Sequence, residues 1–216
     1  MEWDLYVITD SRLSRGRPVV EVVRQALEGG ARIIQLREKE MPPRELVALG
    51  RELRSLIKSF NATFIVNDRL DVALAVDADG VHVGQDDLPA AVARRLLGPG
   101  KILGVSVATV EEALRALADG ADYLGVGSIY ATGTKPDAGA PIGPARIKEI
   151  KSRVNLPVVA IGGINAANAG EVIAAGADGV AVISAVVGAD DVRAAAAELL
   201  AVVRRSKSGL LRQDNF

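Results

Sequence analysis

Short stretches of this chain carry the side chains that could do chemistry. In Gln35-Leu36-Arg37-Glu38-Lys39, the residues Gln35, Arg37 and Lys39 alternate, so in an extended segment their side chains share one face. An arginine can grip two phosphate oxygens at once, and a lysine adds a mobile point charge. One anion with several oxygens would satisfy all three. The alternative is a solvated charge run, because Glu38 and Glu40 are interspersed. Asn67-Asp68 and Gly84-Gln85-Asp86-Asp87 supply carboxylates. If Asp68 and Asp87 end neighbouring strands they suit Mg²⁺, which takes one or two carboxylates and fills its shell with substrate oxygens and water. Otherwise they are helix N-caps, and Asp86 competes with Asp87 for either role. Asn67 and Ser106 are neutral hydrogen-bonding groups that could hold the same anion.

Thr132-Gly133-Thr134-Lys135 offers two hydroxyls and an ammonium to a phosphate. It lies in a long loop from Gly127 to about Pro144 whose glycines and prolines suggest a lid, the alternative being a variable surface loop. Gly162-Gly163 and Ser184 each follow an apolar run. Bare glycine backbone and a helix N-terminus offer N–H groups to an anion, although two glycines also make a tight turn. His82 is the only histidine and reads as a structural strand residue, which leaves no evident Ser–His pair. Anion binding is the primary chemistry here, at two separate sites.

The stretch Leu156–Val187 shows what must position these groups. An apolar run, Pro157–Ile161, stops at the glycines; Asn165 suits an N-cap, an Ala-rich helix follows to about Ala175, and Gly179–Ile183 is a second apolar run. Both runs are continuous rather than alternating, as expected of parallel strands buried on both faces. The turn at Gly176-Ala177-Asp178 has echoes at Gly30-Ala31-Arg32, Asp77-Ala78-Asp79 and Gly120-Ala121-Asp122, with room for one more strand and helix between consecutive copies. Eight strands result: Leu5–Thr9, Arg32–Leu36, Thr63–Val66, Gly80–Val83, Ile102–Val105, Tyr123–Val126, Val158–Ile161 and Gly179–Ile183. The intervening helices fall at about Val19–Glu28, Arg44–Phe60, Leu70–Ala75, Leu88–Leu97, Val110–Ala118, Pro144–Ser152, Ala167–Ala175 and Asp190–Arg204. Eight equal units predict a single-domain (β/α)₈ TIM barrel over residues 1–204, with a flexible tail at 205–216. A doubly wound open sheet is the second choice, without a reason for eight units. In a barrel the candidate residues all fall at strand C-termini, where such folds keep their active sites.

Composition narrows the partners. A net charge of −1 and 3% aromatic residues give no general pull toward nucleic acid or membrane and few stacking platforms. The absence of cysteine excludes disulfides and thiolate chemistry. The first ten residues lack a signal-peptide pattern, and no apolar stretch reaches membrane-spanning length. A cytoplasmic protein, compatible with a homo-oligomer, is expected.

At these residues the sequence resembles the thiamine phosphate synthase family. The motifs are Tyr6-Val7-Ile8-Thr9-Asp10, Gln35-Leu36-Arg37-Glu38-Lys39, Asn67-Asp68, Val83-Gly84-Gln85-Asp86-Asp87, Thr132-Gly133-Thr134-Lys135, Ile161-Gly162-Gly163-Ile164 and Ile183-Ser184. The resemblance spans nearly the whole chain, and its specificity lies in the combination. It implies a transferase that joins hydroxymethylpyrimidine diphosphate to thiazole phosphate and releases diphosphate, with Mg²⁺ as cofactor and two phosphorylated small molecules as partners. By residue, it implies that Gln35, Leu36, Arg37, Glu38, Lys39, Asn67, Ser106 and Lys135 hold the pyrimidine diphosphate. Asp68 and Asp87 hold the metal, and Thr132, Gly133, Thr134, Gly163, Ile183 and Ser184 hold the thiazole phosphate. Arg37, Lys39 and Lys135 are the catalytic cations. The family often has proline where Ser128 and Ala131 stand, which leaves the set of the loop open.

Three other readings compete. A thiazole tautomerase on the same barrel would need an acid–base group and tends to lose parts of the diphosphate and metal set. A Schiff-base aldolase or sugar-phosphate isomerase would use Lys39 or Lys135. A non-catalytic phosphate-ester sensor would not need two full anion sites.

Overall fold

The computed structural model describes residues 1–134 and 139–213. Eight parallel strands pair in sequence order, and the last closes on the first. They are β1 Leu5–Ile8, β2 Ile33–Leu36, β3 Thr63–Asn67, β4 Gly80–Val83, β5 Ile102–Val107, β6 Tyr123–Val126, β7 Val158–Ile161 and β8 Gly179–Val182. The helices are α1 Val19–Glu28, α2 Pro43–Ser59, α3 Leu70–Ala75, α4 Ala90–Leu97, α5 Val110–Ala118, α6 Ala145–Lys151, α7 Ala169–Ala174, α8 Ser184–Val187 and α9 Val192–Gln213.

The strand period of two divides the apolar residues between two cores. Tyr6, Ile8, Ile33, Ile65, Tyr123, Val159 and Ala181 point inward and fill the barrel. Their strand neighbours, such as Val7, Ile34, Val66, Val81, Leu124 and Val180, point outward under the helices. Each fully buried Val, Leu or Ile contributes about 1.5–3 kcal/mol, so the two cores together drive closure.

The recurring Asp turn has a physical role. Asp79, Asp122 and Asp178 each stand just before an even-numbered strand. The backbone N–H of each donates to the carbonyl of Phe64, Leu103 or Val158 on the preceding strand, at 2.8 Å in every case. The carboxylate takes the N–H of that same residue in return, at 2.8, 2.7 and 2.7 Å. A cation from the helix before that preceding strand completes each unit: Arg54 of α2 on Asp79, Arg94 of α4 on Asp122 and Lys151 of α6 on Asp178. Arg32 stands in the first copy and caps Leu27 and Ala31 carbonyls instead.

Every predicted element but the last helix agrees within two residues, and three departures have tertiary reasons: a shortened helix, an added one and an extended one. The helix expected from about Ala167 begins at Ala169, because Asn165 and Asn168 bond each other's turn: Asn168 Oδ1 accepts from Asn165 N, and Asn165 Oδ1 from Ala167 N. The four-residue α8 was not foreseen. The last helix continues through the expected tail to Gln213, since Arg204 and Lys207 pair with Asp4 beside β1.

Candidate active site

The carboxyl ends of the strands open into one cavity that receives residues from every strand or the loop after it. From β2, Gln35, Arg37 and Lys39 all reach it, as their alternation predicts. The same alternation turns the Leu36 and Glu38 side chains away from the cavity, which leaves their backbone for the ligand contacts that the resemblance implies. Leu36 is buried in the outer core. Glu38 accepts from Thr9 Oγ1 at 2.9 Å and from Ser11 N at 3.0 Å, tying β2 to the loop after β1.

Arg37 is only 8% exposed, and its Nη1 lies 3.4 Å from Asp10 Oδ2. Asp10 also accepts from Arg12 Nη2 at 2.9 Å and from Arg12 N at 3.1 Å. Burial pushes the Asp10 carboxyl up, but the bonds and charge of Arg12, with the charge of Arg37, bring it below the usual range. Asp10 is therefore a buried anion that fixes Arg37. It sits on the rim but does not line the cavity, and its role was not foreseen.

Asn67 ends β3, and Asp68 follows with φ +58°, a left-handed conformation tolerated best by Gly, Asn and Asp. Its N–H bonds the His82 carbonyl at 2.8 Å, and Lys39 Nζ lies 3.2 Å from its Oδ2. Asp87 Oδ2 accepts from Gly84 N at 2.8 Å. Neither aspartate is a helix cap: the cap positions of α3 and α4 are Arg69 and Pro89. Asp87 lines the cavity, whereas Asp86 does not. Burial first, and then the neighbouring Asp87 carboxylate, push Asp68 above the usual carboxylate range, with Lys39 opposing. No group of three or more His, Cys, Asp or Glu suited to a metal occurs among the described residues. Two crowded carboxylates beside an anion pocket fit a cation that takes most of its ligands from substrate and water.

The cavity floor is a chain of buried hydrogen bonds. Gln35 Nε2 donates to Tyr6 OH at 2.7 Å. The Tyr6 and Tyr123 hydroxyls are 2.8 Å apart, Tyr123 OH is 2.8 Å from His82 Nδ1, and His82 Nε2 is 2.8 Å from Ser106 Oγ. Gly104 makes room for it, since a Cβ there would strike the Tyr123 ring. Burial pushes both phenols well up, so they stay protonated. His82 lies within β4 as expected, but it lines the cavity and forms with Ser106 the Ser–His pair that the sequence did not reveal. Alternation from Gln35 and Ser106, with the adjacent Gly104, is the signal that could have found Tyr6 and Tyr123.

The other side of the cavity comes from the last three strands. Thr132, Thr134, Gly162, Gly163, Ile183 and Ser184 line it, and Ser184 opens α8. Gly162 and Gly163 have φ +101° and +65°, and both are crowded by the loop after β6. That loop is anchored by Ile129 N to Ile161 O at 2.9 Å and Tyr130 N to Gly162 O at 3.0 Å. Ser128 Oγ bonds the Tyr130 carbonyl, which sets the turn without a proline. Gly133 lies in this loop but does not line the cavity. Lys135 lies outside the described residues. The rim thus brings together Gln35, Arg37, Lys39, Asn67, Asp68, Asp87 and Ser106 on one side, facing Thr132, Thr134, Gly163, Ile183 and Ser184 on the other.

A family model described as thiamine monophosphate synthase matches residues 5–186. A thiamine-phosphate synthase of Moorella thermoacetica is 64% identical over 206 residues, covering 95% of this chain and 98% of the relative. One of Chloroflexus aurantiacus is 59% identical, covering 94% of each. The solved structure of thiamine phosphate pyrophosphorylase from Pyrococcus furiosus superposes with a TM-score of 0.88 at 52% identity, covering 95% of this chain and 97% of that one.

Proposed function

The chain belongs to the thiamine monophosphate synthase family and is a transferase of thiamine biosynthesis; from that premise we propose how its rim performs the coupling. Arg37 and Lys39, with Asn67 and Ser106, hold the diphosphate of hydroxymethylpyrimidine diphosphate, and Gln35 meets the pyrimidine. Lys135 is assigned as a third cation from the sequence alone. Thr132, Thr134, the Gly163 backbone and the start of α8 at Ser184 hold the phosphate of the thiazole. The single observation that carries this reading is that both sets of groups line one cavity, with a carboxylate pair between strands that suits a cation.

The reaction breaks the bond between the pyrimidine methylene carbon and the diphosphate oxygen. The thiazole nitrogen then forms a new bond to that carbon, so no proton need move at the reacting atoms. Asp68 and Asp87 would hold Mg²⁺, which when bound neutralises charge on the departing diphosphate. Arg37 and Lys39 serve the same end as fixed positive charges, Arg37 being held in place by Asp10 before substrate arrives. The glycine-lined side brings the nucleophile to the electrophilic carbon, and the closed barrel below keeps water from capturing it. On this reading the enzyme works in the cytoplasm on two phosphorylated small molecules, without nucleic acid. Among the described residues no helix is long and apolar enough to cross a membrane.

The test is a coupling assay that follows diphosphate release. Release should require both substrates and stop with EDTA, returning when Mg²⁺ is restored. Isomerisation of a thiazole with no diphosphate release would identify a tautomerase instead. A borohydride-trapped lysine adduct would identify an aldolase.

A further inference from the structure

We propose that Tyr6, Tyr123 and His82 are positioning residues that polarise the cavity floor: they hold His82 as the neutral tautomer protonated on Nε2, leaving Ser106 a donor and Gln35 an acceptor toward the substrate. The argument is donor bookkeeping. An amide nitrogen only donates, so the Gln35 bond occupies a lone pair on the Tyr6 oxygen. Tyr6 has one proton, and its partner is Tyr123 OH. Tyr123, having accepted, spends its own proton on His82 Nδ1. With Nδ1 an acceptor, the neutral ring carries its proton on Nε2 and donates to Ser106 Oγ. The Ser106 hydroxyl hydrogen is then left for the cavity that Ser106 lines, and Gln35 Oε1 is left at the other end.

Turning the Gln35 amide over would reverse every bond in the chain and move the ring proton to Nδ1. The two ends would still carry opposite character, coupled through one imidazole. The cavity decides between the two polarities. Ser106 shares it with Arg37 and Lys39, and an anion there can be met only by donors. This deepens the assignment of the diphosphate to that side and rests on it. The bonds are short, and Tyr6 and Tyr123 are only 1% exposed, so water does not scramble their order.

The chain has a single histidine, so ¹⁵N-imidazole labelling reports His82 alone. With inorganic diphosphate bound in place of substrate, the expected spectrum shows a proton on Nε2 and a bare, hydrogen-bonded Nδ1. A proton on Nδ1 overturns the proposal. Tyr123→Phe removes the donor to Nδ1 and should mix the tautomers. It should also raise the KM of the pyrimidine substrate about fivefold, the equivalent of one hydrogen bond, with kcat within about twofold. Tyr6→Phe should raise the same KM yet leave the diphosphate-bound tautomer intact, because the anion still holds Ser106 as a donor and the Tyr123–His82 bond survives. Unchanged tautomer and KM in Tyr123→Phe would also overturn the proposal, circular dichroism having verified the fold. The spectra need no activity, so a correct tautomer in a protein that fails the coupling assay would sink the functional reading and spare the relay.

Discussion

Lys39 Nζ stands 3.2 Å from Asp68 Oδ2, so a lysine is the resident counter-ion of a carboxylate assigned to the metal. Lys39 is 46% exposed, and such a pair contributes no more than about 1 kcal/mol. Burial and the nearby Asp87 outweigh it and raise the Asp68 carboxyl. A raised carboxyl binds its proton more tightly in the folded state than in the unfolded chain. Stability therefore falls as pH rises from the ordinary carboxylate range through the raised value. Asp68→Asn removes that penalty. At pH 7 its melting temperature should rise by about 2 °C, the gain fading in acid below the ordinary carboxylate range, roughly pH 4. Product formation should fall by about 100-fold or more, as for loss of a metal ligand. Thermal melts across pH, paired with the coupling assay, check both; a lower melting temperature at pH 7 would contradict the account.

Lys39→Met separates the two partners of Lys39. Without the ammonium, the carboxylate pair is left uncompensated and should bind Mg²⁺ about fivefold more tightly in the absence of substrate, the worth of one exposed ion pair. Turnover should nevertheless drop, because the diphosphate loses a cation. Calorimetric titration of the substrate-free variant is the check, and weaker Mg²⁺ binding would show that Lys39 is no placeholder.

Arg37→Ala should leave the fold intact while turnover falls by about 100-fold or more, the scale of losing one preorganised charge contact. The reason lies with Asp10. Removing its Arg37 partner would ordinarily strand a buried carboxylate, but Arg12 keeps two side-chain bonds to it. Circular dichroism and kinetics on the same preparation decide this. Collapse of the fold would mean that Arg12 does not suffice.

These residues also show where sequence reading stops. Lys39, Arg37 and Gln35 were legible because a strand's alternation survives into the loop and places all three on one face. The eight strands were legible because both faces of each are buried, which leaves continuous apolar runs between repeated turns. Asp10 was not, since its meaning depends on β1 and β2 lying side by side so that Arg37 can reach it. Tyr6 and Tyr123 are indistinguishable from other strand aromatics until closure brings β1 and β6 across the barrel from each other. The extent of α9 depends on Arg204 and Lys207 meeting Asp4, some two hundred residues away. The period of the strand sends the Leu36 and Glu38 side chains elsewhere, to the outer core and to the loop after β1.

Gly162→Ala should act on one substrate only. Gly162 has φ +101°, where a side chain is strained, and its Cβ would run into Ser128. The loop after β6 is anchored to this residue through Tyr130 N, so Thr132 and Thr134 would shift with it. The KM for thiazole phosphate should rise about tenfold, matching one to two lost hydrogen bonds, with that for the pyrimidine diphosphate nearly unchanged. Equal changes in both would mean that the two anion subsites are not mechanically separate.

Asp122→Ala should show the opposite pattern, losing stability while keeping kinetics. Asp122 lies at the amino ends of the strands, the face of a barrel remote from catalysis. Its carboxylate accepts the Leu103 N–H at 2.7 Å, and Leu103 is fully buried, so truncation leaves a strand donor without its partner. A hydrogen bond to a charged group is worth about 1.5–3 kcal/mol. Arg94 loses an ion pair but keeps the Gly98, Gly120 and Lys101 carbonyls, so no cation is stranded. A loss near 2 kcal/mol corresponds to a melting temperature lower by about 4–8 °C for a chain of this size. Asp122→Asn retains an acceptor for Leu103 and should lose about half as much. If the alanine variant melted like the parent, the Asp turns would be echoes of ancestry rather than staples. If kcat fell with it, the two faces of the barrel would be coupled in a way that the separation of Asp122 from the rim does not allow.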